Sequence, residues 1–61
     1  MAKHEIPKKN WTSALADTID KAKSGDTIVC FDEDMAGMAK QAAGRMCPNK
    51  SLNFEIEDHD V

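Results

Sequence analysis

The sequence predicts a small α/β domain in the order helix–strand–helix–strand, with a right-handed β-α-β unit inside it. Apolar residues recur at helical spacing in two separate stretches, a short β-branched run lies between them, and a strictly alternating run follows the second.

The first helix is read from Trp11, Ala14, Leu15, Thr18, Ile19 and Ala22, which repeat along one face, with Asp17, Asp20, Lys21 and Lys23 on the other. Asn10 is the candidate N-cap. Asp17 and Lys21 form an i,i+4 pair in the favourable order, and Lys21 and Lys23 sit where the helix dipole favours cations. Ser24-Gly25-Asp26 supplies the stop, with Gly25 free to take the left-handed conformation, so the helix should run from about 11 to 24.

Thr27-Ile28-Val29-Cys30-Phe31 is short, β-branched and apolar on both faces, the composition of a strand covered on both sides. Asp32 then offers an N-cap and Glu33 and Asp34 fill a first turn. Met35, Met38, Ala39, Ala42 and Met46 form the expected buried stripe of a second helix, closed by Pro48. Beyond it Leu52, Phe54 and Ile56 alternate with Asn53, Glu55 and Glu57, the pattern of a half-exposed strand. Strand, helix and strand make one crossover, which places the two strands parallel. Two strands make a poor sheet. The N-terminal arm, where His4-Glu5-Ile6 can form an edge strand, or dimerisation should complete it.

Sixty-one residues allow one domain, assigned to residues 10–58, after a basic arm at 1–9 and before a short tail at 59–61. A chain this short buries only about 60% of the surface it exposes when unfolded, so its core is thin. Cys30 and Cys47 lack the spacing of a disulfide framework. No apolar stretch approaches the ~20 residues of a membrane span, and these residues contain no apolar h-region. These features predict a cytoplasmic protein with reduced thiols and no membrane contact.

The net charge of −3 is unevenly placed: residues 1–31 carry five bases and four acids, residues 32–61 three bases and seven acids. Such a balance argues against a nucleic-acid binder, whose affinity rests on clustered bases. The nucleic-acid reading is left with Lys3, Lys8 and Lys9 on the arm and Trp11 as a stacking ring.

Ligands of open α/β sheets bind beyond the carboxyl ends of the strands, where Asp32 and Asp34 fall. The segment Ile28-Val29-Cys30-Phe31-Asp32-Glu33-Asp34 resembles the D-x-D by which haloacid-dehalogenase-type phosphotransferases present a nucleophile and a magnesium ligand. The resemblance spans about seven residues and lacks the threonine or serine that usually follows; it implies a divalent-metal or phosphate site at Asp32 and Asp34. The competing expectation is a capped helix start. His59, between Asp58 and Asp60, would be a weak ligand set, joined by His4 if the chain ends meet. Cys30 reads as a core thiol and Cys47 as a turn residue, so no nucleophile–base pair is found and no catalytic residue or cofactor is assigned.

Gly37 and Gly44 lie seven apart on the side of the second helix opposite the methionines, with Lys40 and Gln41 between them. Each glycine costs about 1 kcal/mol relative to alanine. Close approach of another backbone would explain that cost, making Gly37, Lys40, Gln41 and Gly44 the expected dimer contact. The sequence thus predicts a non-catalytic interaction module, homodimeric and of adaptor or inhibitor type. Its acidic last strand and tail, Glu55, Glu57, Asp58 and Asp60, would face a basic surface on a larger protein.

Overall fold

In the computed structural model, which describes residues 2–57, three parallel strands form one sheet in the order β1-β2-β3. They are β1 (Lys3–Glu5), β2 (Thr27–Cys30) and β3 (Asn53–Ile56), joined by α1 (Trp11–Lys21) and α2 (Glu33–Met46). The arm therefore supplies the third strand, and no second chain is needed to give β2 two neighbours. Lys3, His4 and Glu5 pair with Thr27, Ile28 and Val29, and Thr27 to Cys30 pair with Asn53 to Ile56.

Strand side chains alternate between faces. On one face Ile28 and Cys30 join Ile6, Leu15, Ile19, Ala22, Met35, Ala36, Ala39 and Ala43 in a single buried cluster, so both helices lie on that side. Ile6, the residue after β1, is fully buried and anchors the arm. Trp11 and Phe31 pack on the cluster edge to face, ring centroids 6.1 Å apart.

The other face carries Lys3, Glu5, Thr27, Val29, Asn53 and Glu55, and neither helix covers it. Val29 is nevertheless only 1% exposed. In register it lies between Glu5 and Glu55, and Lys3 Nζ reaches across β2 to Glu55 at 3.3 Å. β2 is thus buried on both faces, as its composition predicts: Ile28 and Cys30 by the helices, and Val29 on the face where Lys3, Glu5 and Glu55 flank it.

Three helix details differ from expectation. Asn10 precedes α1 in the left-handed region (φ 56°) and makes no side-chain cap, whereas capping side chains reach their helix from the extended region. The helix stops at Lys21, since Ala22 turns extended (ψ 147°) and takes its buried side chain into the core. Gly25 does hold a positive φ of 96°, but in the Lys23–Asp26 turn that follows, where Asp26 N–H donates to the Lys23 carbonyl at 2.9 Å. A positive φ at the third turn position is what favours glycine there.

On α2, Met35 is buried as expected, whereas Met38 and Met46 are 53% and 46% exposed, and Ala36 and Ala43 take their places. At about 100° per residue, Met38 falls roughly a third of a turn from the centre of the Met35/Ala36/Ala39/Ala43 stripe. Met46 is the last helical residue, beyond Ala43 where the stripe ends.

Two loops at one end of the sheet are stitched together. Gly25 N–H donates to the Ser51 carbonyl (2.7 Å), and Ser51 N–H donates to Ser24 Oγ (2.9 Å). Lys50 Nζ donates to the carbonyls of Ile19 (2.8 Å) and Asp20 (3.1 Å), satisfying acceptors that the last turn of α1 leaves open and placing a cation at its negative end.

Candidate interaction surfaces

The D-x-D segment is built by the β2–α2 junction. Asp32 is extended (φ −156°), and its Oδ1 accepts from Met35 N–H at 2.7 Å. Glu33 and Asp34 follow in the first turn, exposed. This is an N-cap supported by acids at the positive helix end. Among the described residues no three His, Cys, Asp or Glu side chains converge as a metal-binding group. Asp32→Ala should cost about 1 kcal/mol in urea unfolding. Magnesium at millimolar concentration should leave the amide resonances of residues 31–35 in place, and a saturable shift there would restore the metal reading.

The edges of the sheet are the outer sides of β1 and β3. Asn53 N–H donates to the Asp26 carbonyl and Glu57 N–H to the Cys30 carbonyl, so Asn53, Glu55 and Glu57 turn their backbone groups inward to β2. In a parallel ladder the alternate residues, Phe54 and Ile56, point theirs outward. Ile56 is 54% exposed, and Glu55 and Glu57 are exposed beside it. Asp58, Asp60 and His59 lie outside the described residues.

The outward face of α2 carries Gly37, Lys40, Gln41 and Gly44, all exposed, and a Cβ built on either glycine would meet nothing within 4 Å. Beside the glycines a shallow groove of about 340 Å³ is lined by Met38, Gln41, Ala42, Arg45 and Met46. Its apolar lining is Met38, Ala42 and Met46, three residues of the stripe expected in the core. Lys40 stands on the far side of the glycines and does not line the groove.

A polar cluster that sequence reasoning missed joins the two ends of the first β-α-β segment. Asp26, 7% exposed, accepts from Ala2 N–H (3.0 Å, Oδ1) and Lys23 N–H (3.0 Å, Oδ2), and its Oδ2 is 2.9 Å from His4 Nε2. The hydrogen bond with His4, then those from the Ala2 and Lys23 amides, holds its carboxyl far below the usual carboxylate range. His4 is thus committed to Asp26. The only hint in the sequence was an acid directly after Ser24-Gly25, which reads equally well as turn chemistry.

Cys30 is buried, its Sγ 3.9 Å from the Ile28 carbonyl, and burial followed by the Asp32 charge pushes its thiol up, the opposite of an activated nucleophile. Cys47 is half-buried in the turn after α2. On the arm, Lys3 is paired with Glu55, and Trp11 is half-buried against Phe31. No helix among the described residues is long and apolar enough to cross a membrane. The chain matches no protein-family model, and no curated protein or solved structure matches it.

Proposed function

We propose that this protein is a small non-catalytic interaction module, of adaptor or inhibitor type, whose β3 edge takes up an extended segment bearing Lys or Arg from a larger partner. The observation that supports the reading best is the outward-turned backbone of Phe54 and Ile56 on an exposed strand. Such an edge is a template for strand addition.

The two faces of the edge define the segment that fits. Its helix-side face offers the apolar Phe54 and Ile56, its other face the carboxylates of Glu55 and Glu57. An added strand alternating apolar and basic residues would lay its apolar side chains beside Ile56 and its cations beside the acids. The Lys3–Glu55 pair is exposed on both partners, so it is a weak competitor for an incoming cation.

The test is a titration of the ¹⁵N-labelled protein with an alternating valine–lysine peptide of about eight residues, followed by amide exchange. The amides of Phe54 and Ile56 should shift and gain protection, and a proline placed mid-peptide should abolish both effects. Equal shifts from the proline-bearing peptide would mean diffuse charge attraction and would end the strand-addition reading.

A further inference from the structure

We infer that the outward face of α2 is a self-association surface, on which a second copy of the chain packs its own α2 antiparallel about a two-fold axis passing at Gln41. The inference is independent of strand capture at β3, since none of its residues lies on that strand.

Helical geometry places Asp34, Gly37, Met38, Gln41, Gly44 and Arg45 within about a third of the helix circumference, centred near Gln41. The glycines form one flank of that face and Met38 and Arg45 the other. A two-fold axis at Gln41 exchanges residues equally spaced on either side of it, so Gly37 of one copy comes level with Arg45 of the other, and Met38 with Gly44. Residues of like flank then meet: Gly37 runs beside Gly44 of the second copy, and Met38 beside the aliphatic stem of Arg45.

The register is self-complementary in shape and in charge. Neither glycine has an atom within 4 Å of the place a Cβ would occupy, so that flank admits a backbone at close range. On the other flank Met38, 53% exposed, and the groove it forms with Ala42, Arg45 and Met46 gain a cover. The acids of α2, Glu33 and Asp34, lie in its first turn and Arg45 in its last. Antiparallel pairing carries each Arg45 past Gly37 of the second copy toward Asp34 one turn away, a contact repeated at both ends. A parallel pairing would instead set acid against acid and Arg45 against Arg45.

This face also explains why an exposed helix keeps two glycines and the exposed Met38. One 14-residue helix buries roughly 400 Å² per copy, about half of a standard interface, so the dimer should be weak and its population should depend on concentration.

Sedimentation equilibrium from about 10 µM to 1 mM tests the inference on the whole chain. The expected result is a rise from monomer to dimer mass across that range. Gly37→Ala with Gly44→Ala should weaken the dimer at least tenfold while raising the thermal midpoint of the monomer, an opposition that general loss of structure would not produce. Asp34→Arg and Arg45→Asp should each weaken association, and the two together should restore it. A monomer at 1 mM overturns the inference. So does a dimer that tolerates the alanines but is lost with Ile56→Pro, which would put the contact on the β3 edge.

Discussion

Ile28→Ala should remove a large part of the chain's folding stability at room temperature. Ile28 is fully buried at the middle of the central strand, between His4 and Phe54 in register, and belongs to the one cluster that both helices share. Removing its outer carbons costs the transfer free energy and leaves a cavity, together about 3–4 kcal/mol at a site that cannot collapse. A domain of this length commands about 3–9 kcal/mol in all. The substitution therefore consumes a large fraction of the total, whereas Ile28→Val, which keeps most of the volume, should cost about 1 kcal/mol. Urea titration followed by circular dichroism measures both. A loss below about 1.5 kcal/mol for the alanine variant would mean that neighbouring side chains relax into the space and that the core is looser than its burial indicates.

The central strand was legible because its evidence is composition: Ile28, Val29 and Cys30 are buried whatever lies above or below them. The β2–α2 junction was legible because an N-cap is local chemistry, and Asp32 caps Met35 as its position foretold. Elements that depend on distant partners were harder to read. That Val29 would be covered was legible, but not what stands beside it: Lys3 and Glu55 are remote in sequence and meet only through the register of the sheet. The methionine stripe on α2 failed for a related reason. Periodicity locates an apolar face but not its centre, and alanines at 36, 39 and 43 outcompete Met38 and Met46 for the side facing the sheet. Of the proposed contact face, Gly37, Gln41 and Gly44 were found from the cost of glycine in a helix. Asp34 and Arg45 were not linked to it, because their relation emerges only when two helices are laid side by side. Nothing near Lys50 in sequence announces that its ammonium closes the end of α1, at carbonyls thirty and thirty-one residues upstream.

Asp26→Asn should produce the second large effect, and one that depends on pH. Asp26 is the tie between the arm and the α1–β2 turn: it holds the Ala2 amide, the Lys23 amide and the His4 ring at once. Without it β1 keeps its ladder bonds to β2 and the buried Ile6, but it loses the clamp at its start. The carboxyl is held far below its ordinary value in the folded chain, first by the hydrogen bond with His4. A depressed folded-state pKa means that the unfolded chain takes up the proton first. The stability it contributes is therefore fully present above the unfolded carboxylate value, about 4, and drains away as pH falls from there toward the folded value. Thermal midpoints of the native and Asp26→Asn chains should differ by on the order of 10 °C at pH 7 and converge as the solution is taken from pH 4 toward pH 2. A constant gap over that range would show that the loss comes from altered packing of the turn and not from the ionised carboxylate.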